Sequence, residues 1–272
     1  MTLNGIDFTL DQQSVGHEGW SALNIGTMHY GWDLKNQGDR IEFDALAYST
    51  AYFESELQDI DLLFFEGTVG PSFNLKRWGW DKTRGYLYAI GDLAYLGYDP
   101  YFTAPGAGAR LLSFNAAQSV LDARVETRYR DFENSSDLPL NSQRTGFQTR
   151  VGFTYSYYFT PAFVVTTQVY GQREDAEVGF WADWEISFAG GFAYTFANPL
   201  WQARYPWTFQ LGGGVIRRDY DDPDPTIDPT NNEEDTVFWT RGALVLPVAE
   251  IVFDGFPNGR GEFPRREFGR VD

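Results

Sequence analysis

Asp183 and Glu185 stand two residues apart in a stretch of alternating polar and apolar residues, and Glu54 and Glu56 repeat the spacing. Two carboxylates on one strand face could act as a general acid and base. The same spacing arises by default on the polar side of a two-faced ribbon, and it is read here as charge lining that side. His17 and His29 are the only histidines. A Ser-His-Asp hydrolase needs one as its base, but no serine near His29 lies in a recognisable nucleophile setting, and two histidines without a partner motif do not make a zinc site. The segment 219–235 concentrates carboxylates, and Asp219, Asp221, Asp222 and Asp224 could offer hard oxygens to Ca²⁺. It lacks the glycine and spacing of an EF-hand loop. With Pro223, Pro225 and Pro229 it reads as a stiffened outer loop, and no metal or other cofactor is expected. Gly212-Gly-Gly214 is followed by neither Lys-Ser/Thr nor a helix, so it is no phosphate loop.

Arginine is the more informative residue. Only Lys35, Lys76 and Lys82 among 21 basic residues are lysine. Arg keeps its charge and grips carboxylate or phosphate through a planar fork. In Leu121–Arg130 the even positions Asp122, Arg124, Glu126, Arg128 and Arg130 are all charged, whereas Leu121, Ala123, Val125, Thr127 and Tyr129 between them are mostly apolar. With Arg150, Asp183, Glu185 and Arg218, these residues are the expected lining of a polar interior. There an Arg either neutralises the acids of neighbouring strands or binds an anionic solute. The net charge of -17 argues against nucleic acid, whose phosphates it would repel.

Strands are the elements that would hold these side chains, because successive residues of a strand point to opposite faces. The alternation recurs from about Ser21 to Leu246. It is cleanest over Trp181 to Ala197, where Trp184, Ile186, Phe188, Phe192, Tyr194 and Phe196 share one face. Strands are also expected at Leu23–Trp32, Asp39–Ser55, Asp59–Leu75, Thr83–Gly97, Gln118–Phe132, Phe147–Thr160, Phe163–Arg173, Trp207–Tyr220 and Thr236–Leu246. A short one is expected at Gly106–Leu112 and a faint one near Ile6–Asp11. Many exceed the usual five or six residues of a soluble strand and suit a tilted membrane strand of about 9–11. Aromatic residues make up 18% of the chain, as interfacial girdles would require. No apolar run reaches the roughly 18 residues of a membrane helix, and the absence of cysteine excludes disulfides and thiolate chemistry. Met1-Thr-Leu-Asn leads into Gly5–Leu10 with neither a basic start nor an apolar core. That start fits a mature or excised chain with an added Met, or a chain that is not exported. Short connections at Thr160–Ala162 and Asn198–Leu200 read as periplasmic turns, and long ones at Asn134–Arg144 and Asp219–Asp235 as external loops.

Gly70-Pro71 within a long strand, Gly106-Ala-Gly-Ala-Arg110, and Arg217-Arg-Asp-Tyr-Asp-Asp-Pro-Asp224 leading through Glu234-Asp235 to Leu246-Pro247 carry a resemblance. Over residues 40–247 the chain resembles the barrel domain of surface lipoprotein assembly modifier-type proteins. The resemblance implies a barrel of about fourteen strands, preceded in those proteins by tetratricopeptide helices, and it transfers no functional residues.

The expectation is therefore an all-β chain forming a single antiparallel transmembrane β-barrel of roughly 12 strands (10–14) over 1–247, with 248–272 an irregular tail or incomplete last strand. It is expected in the bacterial outer membrane as a monomer, not an enzyme, acting in transport or surface export through a polar, Arg-bearing lumen. Its partners would be the lipid bilayer and a small anionic solute or an exported protein, and not nucleic acid. Two alternatives stay open. One is a sealed structural or adhesion barrel working through its acidic outer loops. The other is a soluble β-sandwich that binds carbohydrate, with Trp78 and Trp80 stacking on sugar.

Overall fold

The computed structural model describes residues 2–3, 6–7, 21–34, 38–53, 60–115, 118–136, 138–197 and 206–245. The faint strand expected near Ile6–Asp11 is described only at Ile6 and Asp7, which form β2 and pair with β1 (Thr2–Leu3). The tail 248–272 lies outside the described residues.

The fold is one antiparallel sheet of eleven strands, each paired with its neighbours in sequence. These are β3 (Ser21–Asp33), β4 (Arg40–Tyr52), β5 (Leu62–Asn74), β6 (Thr83–Leu96), β7 (Asp99–Asn115) and β8 (Ser119–Phe132), followed by β9 (Gly146–Thr160), β10 (Phe163–Glu174), β11 (Asp183–Phe196), β12 (Trp207–Tyr220) and β13 (Glu234–Val245). The count falls within the expected range. Most boundaries agree with the alternation to within three residues. The exception is β7, where the short segment expected at Gly106–Leu112 is part of a 17-residue strand. Pro100 and Pro105 hid its first half, since proline ordinarily argues against a strand interior.

Among the described residues β3 and β13 are the margins of the sheet, and no ladder joins them. An odd number of antiparallel strands makes these two margins run the same way.

The two faces differ as the alternation requires. Trp184, Ile186 and Phe188 of β11 are 57%, 65% and 54% exposed, as are comparable residues of β8, β9 and β12 on that convex side. The concave side buries Arg128, Arg130, Gln148, Arg150, Asp183, Glu185 and Arg218. Near one end it also holds an apolar cluster of Leu46, Tyr48, Leu62, Phe64, Ala94, Phe102, Ala104 and Phe132. At the margins both faces are open: Ile25 of β3 and Val237 of β13 are exposed although they sit on the concave side.

The sheet is strongly curled. Arg130, Gln148, Glu174, Asp183 and Arg218 come from five successive strands, β8 to β12, yet line one cavity of about 40 Å³. On a flat sheet, strands about 4.8 Å apart would spread them over about 19 Å. Pro71 and Pro105 each interrupt one ladder of the sheet without shifting its register. Pro71 keeps its partner in β4, and pairing with β6 lapses between Val69 and Ser72. Pro105 keeps its partner in β6, and pairing with β8 lapses between Thr103 and Gly106. The lost N–H of each proline thus faces one neighbouring strand only.

Antiparallel order sends alternate connections to opposite ends of the sheet. Those after β4, β6, β8, β10 and β12 share one end and those after β3, β5, β7, β9 and β11 the other. By sequence the first set holds thirteen Asp and Glu against Arg144 alone, whereas the second holds all three lysines, Arg77 and Arg204 against Asp39 and Asp81. We call these the acidic and the basic end. The two long expected loops fall at the acidic end and the two short turns at the basic end. Between β11 and β12 the connection is ten residues, 197–206, so it is longer than the turn expected at Asn198–Leu200, whose residues lie outside those described.

Candidate functional site

The register brings the expected interior residues onto one surface. Glu126 opposes Arg150, Arg124 opposes Gly152, and Arg128 opposes Gln148 between β8 and β9. Glu185 opposes Arg218 between β11 and β12. Asp122, Arg124, Glu126, Arg128, Arg130, Arg150, Asp183, Glu185 and Arg218 therefore all face the concave side. Arg217 faces outward and binds Asp219 and Glu234 at the acidic end.

These arginines are tied to acceptors. Arg128, 3% exposed, places its Nη1 2.6 Å from Asp92 and 3.0 Å from Glu66, and its Nη2 2.9 Å from Glu126. Arg110 donates twice to Asp122, at 2.8 and 2.6 Å, and Arg124 donates to the same carboxylate at 3.1 Å. Arg130 pairs with Glu174, which also accepts from Gln148 at 3.3 Å. Arg218 Nη2 lies 2.5 Å from Glu185, with Asp183 4.0 Å from its Nε. Arg150 is the exception. Its Nε donates to the neutral Gln172 at 2.9 Å, and its buried Nη1 has no hydrogen-bond partner. A buried charge costs several kcal/mol unless it is paired and hydrogen-bonded, so this degree of matching is what makes the interior tolerable.

Two glycines let the network cross strand β7. A Cβ on Gly106 would strike the carbonyl oxygen of Thr127 and come within 2.9 Å of Arg128 Cγ. A Cβ on Gly108 would lie 2.6 Å from the Tyr88 ring. Through the first gap Arg128 of β8 reaches Asp92 on β6 and Glu66 on β5. Over the second, Tyr88 of β6 donates to Glu126 of β8 at 2.8 Å. Glu66, Asp92, Tyr88, Arg110, Gln172 and Glu174 do not stand out in the sequence. The signal that would have found them is shared parity: each occupies the polar face of its strand in the same alternation that exposed Arg128.

At the acidic end the candidate cation loop has other engagements. Asp219 accepts from Arg217 at 3.0 Å, Asp221 binds Arg173 at 2.7 and 2.5 Å, and Asp222 lies against Gly179. Asp224 accepts from the backbone and hydroxyl of Thr226. Among the described residues no three carboxylates or histidines converge as metal ligands. The Arg173 guanidinium holds Asp221 below the ordinary carboxylate range. Asp228 is brought down to about 2 by donors from Asn231 and Thr230. A carboxylate depressed in the folded chain stabilises its turn above the unfolded value of about 3.9. That stabilisation fades as pH falls below about 4 and is gone once pH passes through about 2. A ¹³C titration of the Asp228 carboxyl should show its midpoint near 2, and Asn231→Ala should move it up toward the free value. An unchanged midpoint in that variant would contradict the assignment.

His29 Nδ1 lies 2.7 Å from Asp44, both half exposed near the β3 margin. That resembles a base with its orienting acid, but among the described residues no serine or threonine hydroxyl bonds to the ring. Trp78 and Trp80 stand exposed in the connection between β5 and β6, with the Arg77 guanidinium 4.6 Å over the Trp78 ring. No known protein family, curated protein or solved structure matches the chain. Its function is therefore read from the chemistry of its own surfaces.

Proposed function

We propose that the chain is a bacterial outer-membrane β-barrel, sealed across its interior by ion pairs and working through the loops of its acidic end. Arg128 carries this reading. Its guanidinium is buried and held by Glu66, Asp92 and Glu126, so it offers no free charge to an anionic solute. Arg130 and Arg218 are likewise buried against Glu174 and Glu185, whereas Arg110 and Arg124 are partly exposed and share the Asp122 carboxylate. A lumen built to pass anions keeps its cations unpaired in a ring. Here every expected lumen arginine except Arg150 is engaged by a carboxylate, and this favours a sealed barrel over an open Arg-lined channel.

The membrane half of the reading rests on the convex face. A continuous surface of Trp, Ile, Phe, Leu and Val side chains in water would exceed what a soluble monomer exposes, and hydrocarbon is the solvent that suits it. An all-antiparallel closure takes one more strand: a segment lying between β3 and β13, which run the same way, would pair antiparallel with both. Closing the cylinder removes the two open margins, which otherwise present unpaired backbone that lipid cannot satisfy.

The folded chain should require detergent or lipid and show heat-modifiable migration on gels. In a planar bilayer it should insert without a steady conductance. A steady anion-selective current would replace sealing by transport. Full solubility without detergent would return the chain to a soluble sheet that binds ligands through Trp78 and Trp80.

A further inference from the structure

We propose that the connection between β5 and β6 at the basic end is a docking surface for anionic phospholipid headgroups; this rests on the membrane-spanning reading above. The loop is built to hold its side chains outward. Leu75 is buried beneath it, with its δ-carbons 3.6 Å from the position a Gly85 Cβ would take. A 3₁₀ turn over Leu75–Trp78 is capped at its start by Asn74, whose side chain accepts from the Lys76 N–H. It is closed by Gly79 in the left-handed region at φ 86°, whose N–H bonds back to Leu75 and Lys76 carbonyls. Lys82 also adopts a left-handed conformation, at φ 56°. A loop fixed at both ends in this way loses little further freedom on binding.

What the loop displays matches a lipid interface. Trp78 and Trp80 are 65% and 55% exposed. Arg77 stacks on Trp78 and reaches within 5.9 Å of the ring of Phe73 on the convex face, so apolar surface continues from strand to loop. Indole rings settle at headgroup depth, and Lys stems lie along apolar surface while their ammonium groups reach phosphates. Lys76 has only a 3.6 Å contact with Asp81, both largely exposed, and Lys82 forms no ion pair among the described residues. The opposite end of the sheet is almost wholly acidic in its connections. Charge complementarity therefore assigns the anionic surface to this end alone.

The test uses the full chain folded into phosphatidylcholine vesicles that contain an equal mole fraction of either brominated phosphatidylglycerol or brominated phosphatidylcholine. Fluorescence from Trp78 and Trp80 is obtained by difference against a Trp78→Phe/Trp80→Phe variant. Two lysines near an anionic surface should enrich the charged lipid severalfold, at about fivefold per charge before competition. Quenching of the difference signal should therefore be markedly stronger with brominated phosphatidylglycerol. Lys76→Gln/Lys82→Gln should make the two lipids equivalent while heat-modifiable migration stays unchanged. Equal quenching in the parent chain, or none by either lipid, overturns the docking surface and leaves the barrel standing. Failure to insert at all overturns the barrel and this proposal with it.

Discussion

Arg128→Ala should destabilise the folded chain by about 3–5 kcal/mol, the cost of breaking a buried ion pair from one side. The substitution leaves Glu66, Asp92 and Glu126 facing one another without the guanidinium that now lies within 3.0 Å of all three. Like charges at such range in a desolvated pocket cannot all remain ionised without penalty. Removing the acids together with the base should therefore recover much of the loss: Arg128→Met combined with Glu66→Gln, Asp92→Asn and Glu126→Gln should be more stable than Arg128→Ala. Unfolding by denaturant of chain folded in lipid vesicles measures both. If Arg128→Ala lies within about 1 kcal/mol of the parent, a range typical of exposed pairs, the network is not what braces the interior.

Gly106→Val should be at least as damaging. Its Cβ would drive into the Thr127 carbonyl oxygen, a backbone group that can move only by parting β7 from β8. Its methyls would also occupy the gap through which Arg128 reaches Asp92. Overpacking alone costs about 1–3 kcal/mol. With the ion-pair loss added, the variant should fail to give the folded, heat-modifiable form. Gly67→Val is the matched control, since a Cβ there meets nothing within 4 Å. Gly67 lies on the opposite face of β5 from Glu66, so this variant should fold as the parent does. Comparable behaviour of the two variants would remove the special role given to Gly106.

The alternation makes the faces of the sheet legible in the chain itself. Trp184, Ile186 and Phe188 on one side of β11, and Asp183 and Glu185 on the other, follow from a period of two alone. The interior set from Asp122 to Arg218 is legible for the same reason. Who meets whom is not. Arg128 finds Asp92 two strands away and Glu66 three strands away because Gly106 and Gly108 leave room over β7. Neither register nor such a gap is written within any single strand. The distinction between an arginine that awaits an anion and one already neutralised lives at that level, and it is there that the sealed interior proposed here departs from the Arg-bearing lumen expected from the sequence. The first half of β7 is hidden by Pro100 and Pro105, whose missing N–H groups ordinarily mark an edge. Here Pro105 keeps its partner in β6 and sits where the ladder with β8 lapses. Closure is an expectation from the sequence and stands as a proposal, because among the described residues β3 and β13 meet no partner beyond their single neighbours.

The strictly sequential order of the sheet has a kinetic consequence. Every ladder between β3 and β13 can be zipped by a hairpin whose connection is two to thirteen residues long, so each step costs little loop-closure entropy and can follow directly on the last. In the closed barrel proposed above, the one pairing between segments as distant as Ser21 and Val245 would be the seam. For a flexible chain that span costs about 3 kcal/mol more than a ten-residue loop. Assembly should therefore proceed as a growing curl with its seam joined last, and variants near β3 and β13 should slow the final phase while leaving the early ones untouched.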